Sequence, residues 1–260
     1  MQEDMASRLR TARGVLFDLH HTITRHERSN LNWATRDVAR NVGLDIDHCT
    51  EEQLRRAIAK AEDWMREYHT AQAVDLHWGT EPEDWIEINR VMFTELGFQD
   101  IEDSVLIELE TRWKKRVNSP EFETLHEDTM HTLSELHRRK YRIGICTRRF
   151  DDPTPLLNHW GIADTISTLH WTGVHGYAKP SPYTLLKSAE DLELNPRLCV
   201  FVGNYVDADV TAAMRAEMIP VLLTWANPEE GQKAPAEALV LESPSELLQL
   251  LPGAFTADPR

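Results

Sequence analysis

An apolar run, Val15-Leu16-Phe17, ends in Asp18, with His20 two residues on and Thr22 two beyond that. A carboxylate at the end of a strand can act as a nucleophile. A side chain two positions further along an extended exit faces the same way, so an imidazole there can move a proton to or from the same substrate atom. For this segment alone the alternative is an aspartate that caps a helix, beside solvated histidines. Three more apolar runs end in polar groups of a complementary kind. Ile143-Gly144-Ile145-Cys146 leads into Thr147, Arg148 and Arg149, a hydroxyl and two cations suited to clamp an oxyanion or a phosphate, or, for the arginines, simply to end a strand in solvent. Lys179 stands in Lys179-Pro180-Ser181-Pro182, just before a helix start, and Val200-Phe201-Val202-Gly203 leads into Asn204, Asp207 and Asp209.

The elements that must position these groups are short apolar strands at 14–18, 141–147, 198–203 and 220–224, alternating with helical patterns at 126–140, 182–192 and 207–216. That alternation predicts an α/β fold with a doubly wound parallel sheet, whose ligands sit beyond the carboxyl ends of its strands. The stretch 25–117 breaks the rhythm, with four amphipathic helices at about 32–42, 51–69, 82–96 and 103–117 and almost no strand signal. It reads as an all-helical insertion placed to act as a lid. The domains expected are therefore a core of 1–24 with 118–260 and a helical cap of 25–117, with the tail after Ala226 a loop and then a short helix at 243–251.

Asp18, Thr147, Lys179 and Asp209, in that order at strand ends and with a helical insert after the first, resemble the haloacid dehalogenase (HAD) superfamily in its helical-cap branch. The resemblance runs from about residue 13 to 225. It implies a Rossmann-like core, Asp18 as nucleophile, Thr22 supporting the first loop, and Thr147 and Lys179 holding the substrate, with Gly203-Asn204 and Asp209 as the fourth motif. Two positions depart from the family pattern. His20 stands where phosphatases of the family have an acid/base aspartate, and Asn204 where they usually have a metal-binding aspartate. The resemblance implies Mg²⁺ on Asp18, the backbone carbonyl of His20, Asn204 and Asp209 or Asp207, held more weakly for the lost charge.

The expected reaction is hydrolysis of a small phosphomonoester through an aspartyl phosphate, with Thr22 and Arg148 on the substrate and His20 moving protons to the leaving oxygen and from water. Two other readings stand beside it. The same departures suit metal-independent, dehalogenase-like attack on carbon by Asp18, although the fourth motif does not match and Arg25, Arg28, Arg36 and Arg40 are only loose candidates for a substrate carboxylate. Altered motifs also suit a phosphate-ligand-binding module without turnover.

The charge balance points the same way as the motifs. The 260 residues carry 28 Lys and Arg against 43 Asp and Glu, a net charge of −15, which repels nucleic acid and anionic membrane surfaces. A small anionic substrate is the expected partner, the oligomeric state is open, and the location expected is the cytoplasm, since no apolar run approaches membrane-spanning length. Cys49, Cys146 and Cys199 are widely spaced and read as reduced, buried thiols. His126, His131 and His137 lack zinc spacing. Trp33, Trp64, Trp78, Trp85 and Trp113 fill the core of the insert or line an aromatic pocket, and His77, Trp78 and Glu81 lie in a loop that could carry specificity.

Overall fold

The computed structural model describes residues 2–26, 31–251 and 253, without the side chains of 2–4, 31 and 32. In chain order the elements are α1 (Gln2–Thr11), β1 (Gly14–Phe17), β2 (Thr24–His26), α2 (Leu31–Asn41), α3 (Glu51–Gln72), α4 (Ile86–Glu95), α5 (Asp103–Val117) and β3 (Glu123–Leu125). There follow α6 (Thr129–Arg138), β4 (Arg142–Thr147), α7 (Thr154–His159), β5 (Thr168–Trp171), α8 (Tyr183–Asp191), β6 (Cys199–Gly203), α9 (Thr211–Arg215), β7 (Ile219–Leu223), β8 (Leu239–Leu241) and α10 (Leu247–Leu250). Two compact units share this chain. The core unit runs up to Arg25, over Thr124–Gly173 and from Tyr177 onward, and the helical unit holds His26–Glu123 with Val174–Gly176.

Six strands of the core unit form one parallel sheet in the order β5-β4-β1-β6-β7-β8. Strand β1 lies between β4 and β6, with Phe17 opposite Ile145 on one side and Val202 on the other. All four of its residues are buried because helices cover both faces, as a parallel sheet requires. Successive side chains alternate between the two layers: Val15 and Phe17 pack with Leu133, Leu136 and Ile143, and Leu16 packs with Leu185, Phe201 and Ala212. The carboxyl ends of β1, β4 and β6 are thereby brought to one edge.

The helical unit has its own core, Val38, Leu44, Ile46, Leu54, Phe93 and Leu109 among others. Helix α3 begins at a capping box in which the Thr50 side chain accepts from the Gln53 backbone N–H and the Gln53 side chain accepts from the Thr50 N–H. Trp113 packs against this core, whereas Trp64, Trp78 and Trp85 form an aromatic band with Tyr68, whose ring stacks on Trp64 at 5.0 Å.

Several elements differ from the sequence reading. The helical unit extends past Val117 to Glu123, where the buried Phe122 packs its ring 4.8 Å from His26, and it takes in Val174–Gly176. The helix expected at 82–96 opens with a 3₁₀ turn at Pro82–Trp85, and that expected at 207–216 is a π turn at Val206–Val210 followed by α9. Strands β5 and β8 and helices α1 and α7 carry no clear sequence period. The three cysteines are free and buried. Among the described residues no helix is long and apolar enough to cross a membrane.

Candidate active site

Because β1 is flanked by β4 and β6, with Phe17 opposite Ile145 and Val202, Asp18 is level with Cys146 and Gly203, and Thr147 and Asn204 lie one residue beyond. Asp18 anchors this edge, its backbone N–H donating to the Val202 carbonyl at 2.8 Å. Its side chain is 10% exposed, enough to meet a ligand. Lys179, almost fully buried, places its ammonium between two carboxylates, 2.5 Å from Asp18 Oδ1 and 2.6 Å from Asp209 Oδ1. It also lies 5.2 Å from the ring centre of Phe201.

The position of Asp209 depends on the π turn. Its Oδ2 accepts from the backbone N–H groups of Asn204 and Tyr205, both at 3.0 Å, so both of its oxygens are engaged. Gly203 permits this: a Cβ there would stand 2.3 Å from the Cβ of Asp209. Asp207, the other acid considered, is exposed. Burial opposes charge on Lys179, but the two carboxylates outweigh it and raise its pKa. Burial, with the Asp18 charge, raises that of Asp209 against the pull of Lys179 and the Tyr205 amide.

Thr22, fully buried, stands 3.2 Å from both Asp18 Oδ2 and Asn204 Oδ1, and its one hydroxyl proton serves either. Asp18 Oδ2 is therefore the less engaged oxygen of the nucleophile candidate. Two buried polar atoms at this edge have no hydrogen-bond partner among the described residues, Thr147 Oγ1 and Asn204 Nδ2. The first is a hydroxyl at the end of β4.

Arg148 is exposed, and the cation brought inward is its neighbour Arg149, whose Nη1 lies 3.0 Å from Nε2 of His20. A guanidinium only donates, so His20 accepts at Nε2 and carries its proton on Nδ1. His21 adopts φ 56°, the left-handed turn where the family motif has glycine. Beside this turn stand two residues the sequence reading gave no role, His126 and Trp225. Their rings are 4.5 Å apart, Trp225 Nε1 donates to the Thr22 carbonyl at 3.2 Å, and burial lowers the pKa of His126. The available signal was that Trp225 stands two residues past the end of β7. Cys146, next to Thr147, is pushed up to about 12 by burial and is a packing thiol, not a nucleophile. Of the loose arginine candidates, Arg36 is engaged with the Ile46 and Cys49 carbonyls and Arg40 with Asp47, while Arg28 lies outside the described residues.

No match is found among curated protein sequences. Solved structures of similar fold include a HAD phosphatase from Thermococcus onnurineus, 20% identical over 93% of this chain and 98% of that one with a TM-score of 0.61. A 2-haloacid dehalogenase from Pseudomonas syringae pv. Tomato DC3000 is 17% identical over 93% and 98%, with a TM-score of 0.64. YfnB of Bacillus subtilis, in a magnesium-bound orthorhombic form, is 14% identical over 93% and 99%, with a TM-score of 0.65. At these identities the likeness is one of fold. The family model for haloacid dehalogenase-like hydrolases matches residues 12–217, across the strand ends that carry Asp18, Thr147, Lys179 and Asp209, and the chain belongs to that hydrolase family.

Proposed function

We propose that this hydrolase is a phosphatase of small, anionic phosphomonoesters that works through a phosphoryl group on Asp18. The observation that carries the reading is the Lys179 ammonium on the buried Asp18 carboxylate, with the unpartnered Thr147 hydroxyl at the end of the neighbouring strand β4 and the Arg149 guanidinium on His20. Such a set suits the equatorial oxygens of a transferring phosphoryl group better than a carbon–halogen bond. Asp18 Oδ2 forms the new bond to phosphorus as the ester bond breaks and its electron pair leaves with the alkoxide. Lys179 keeps Oδ1 in place.

His20 enters as an acceptor. While Arg149 occupies Nε2 the ring has no proton there to give. When Arg149 turns to the phosphoryl oxygens, Nε2 is released to take a proton from the water that hydrolyses the aspartyl phosphate. The helical unit, inserted directly after the nucleophile's loop, serves in this reading as the cap that selects the substrate. Free buried thiols suit a cytoplasmic setting.

The residues fit a divalent cation. The Asn204 amide, turned over, gives its Nδ2 to Thr22 and leaves its oxygen as the unpartnered atom, and this exchange does not alter its outline. Asp18, the His20 carbonyl and Asn204 would hold Mg²⁺, while Asp209 is committed to Lys179 and two amides. When bound, the ion supplies charge stabilisation to the transferring group. The test is phosphate release from a panel of small phosphomonoesters, with Mg²⁺ and with chelator, beside Asp18→Asn. Release that requires Asp18 supports the reading. Halide release from a 2-haloacid, or phosphate-analogue binding with no turnover, replaces it.

A further inference from the structure

Three successive backbone N–H groups lead into the π turn at Val206–Val210, and all three donate to buried carboxylates. Those of Asn204 and Tyr205 go to Asp209 Oδ2, and the third, that of Val206, goes to Oε2 of Glu230 at 2.8 Å. Glu230 comes from the stretch after β7, where Pro228–Lys233 forms a 3₁₀ turn and the Glu230 N–H donates to the Asn227 carbonyl at 3.1 Å. Its chain neighbour Glu229 is exposed, yet Glu230 is only 5% exposed. A carboxylate is buried at a cost unless its oxygens are bonded. Here Oε1 meets the Lys233 ammonium and Oε2 the Val206 N–H. The Lys233 side chain is itself 56% exposed, so the ion pair would form equally well in solvent, and the inward bond to Val206 is what the burial of Glu230 achieves. Burial opposes the charge on Glu230, but Lys233 and the Val206 amide outweigh it and lower its pKa.

The Val206 N–H belongs to the same planar peptide as the Tyr205 carbonyl. That carbonyl accepts from the Asp209 N–H at 2.8 Å and from the Val210 N–H at 3.2 Å. One rigid unit therefore joins Glu230 to the backbone of Asp209, with no rotatable bond between the two hydrogen bonds. The Val206 carbonyl is held as well, by the Thr211 hydroxyl at 3.0 Å. All of these residues lie in the core unit. A tilt of this peptide moves a residue that is itself buried and whose Oδ1 stands 2.6 Å from the Lys179 ammonium.

We infer that Glu230 is a positioning residue for Asp209: by accepting the Val206 N–H it sets the tilt of the Tyr205–Val206 peptide, and with it the carboxylate that holds Lys179. The consequence for turnover rests on the phosphatase reading, whereas the positioning itself does not. Gln keeps an oxygen within reach of the Val206 N–H without the charge, Met keeps the length without that oxygen, and Asp stops one methylene short. Lys233→Met removes the ion pair and leaves the hydrogen bond.

The test follows hydrogen exchange of the Val206 amide, the ¹³C signal of the Asp209 carboxyl, and kcat and KM in full-length Glu230→Met, Glu230→Gln and Lys233→Met. Expected in Glu230→Met are exchange faster by about tenfold, a moved Asp209 signal and kcat lower by about tenfold with KM within about threefold. All should be largely restored in Glu230→Gln, and Lys233→Met should stay close to the wild type throughout. Should Glu230→Met not fold, Glu230→Asp carries the comparison. An unmoved Asp209 signal in the folded variant overturns the inference, as does Glu230→Gln behaving no better than it. Lys233→Met behaving like Glu230→Met also overturns it, since the ion pair and not the hydrogen bond would then be responsible. If wild-type protein releases no phosphate from any ester, the phosphatase reading fails, and the exchange rate and Asp209 signal alone decide this one.

Discussion

The guanidinium of Arg149 donates from Nη1 to Nε2 of His20 across 3.0 Å, so the imidazole that stands where the family pattern has an acid accepts from a buried cation. The pair exchanges a negative charge for a positive one beside the nucleophile, which suits an arriving dianion. Arg149→Met is expected to raise KM for a phosphomonoester by about 10–100-fold, the range for losing a charge-assisted hydrogen bond. Imidazole ¹⁵N spectra should show His20 as the Nδ1–H form in the wild type and a mixture of tautomers in the variant. Unchanged KM would place Arg149 outside substrate binding.

Lys179 is the only cation bonded to both Asp18 and Asp209 among the described residues. In Lys179→Met two buried carboxylates face each other uncompensated, which should cost about 3–5 kcal/mol at pH 8. Their repulsion raises a folded-state pKa above the unfolded value, so the variant takes up a proton as it folds. Its stability is regained below that pKa and lost as pH rises through it. Urea denaturation should show the gap to wild type narrowing between pH 8 and pH 5, with no activity at either. A gap independent of pH would mean that the lysine contributes packing alone.

His69 titrates in the opposite sense. Burial first, and the nearby His175 second, lower its pKa to about 4, while in the unfolded chain it stays near 6.5. The unfolded state then binds the proton more tightly. Stability is intact above about pH 7, falls as pH drops from 6.5 toward 4, and levels off below that. The loss should reach about 3 kcal/mol and be absent from His69→Phe, so the difference between the two denaturation series, and not either alone, is the measurement. Parallel series would place His69 in contact with water.

Gly203 answers to a close approach. Any β-carbon there meets Asp209 at 2.3–2.4 Å, at atoms near the backbone that cannot swing away. Gly203→Ala should displace Asp209 from the Asn204 and Tyr205 amides, lower kcat by about 100-fold and leave the protein folded. Thermal denaturation beside kinetics separates this from general unfolding, and full activity would show that the π turn yields.

Much of this architecture was legible in the chain. Strands β1, β4, β6 and β7 are continuous apolar runs because helices cover both faces, and Asp18 follows, Thr147 ends and Asp209 comes shortly after such a run. Strands β5 and β8 stand at the sheet's edges and are only half buried, so their sequences carry no comparable run. The choice between Arg148 and Arg149 turned on a side-chain direction at the end of β4, where adjacent residues face opposite ways and either could point inward. The π turn adds a residue to the helical count, so Asp209 and not Asp207 faces Lys179. The link between His69 and His175 spans 106 residues and involves a backbone N–H, which no side-chain pattern signals.

At the proposed Mg²⁺ site Asn204 would set how strongly the ion is held. Its amide offers one neutral oxygen where the family pattern usually has a carboxylate, and the Thr22 hydroxyl lies 3.2 Å from both Asn204 and Asp18. Asn204→Asp should lower the Mg²⁺ concentration for half-maximal activation by at least about tenfold. Without Mg²⁺ the variant places a third acid beside Asp18 and Asp209 against the single Lys179 ammonium, and its Tm should fall below that of the wild type. Mg²⁺ should then raise the Tm of the variant more than that of the wild type, a readout that needs no substrate. An equal shift in both proteins would remove Asn204 from the ligand set, and no shift in either would leave Lys179 and Arg149 as the charges that must offset the phosphoryl group.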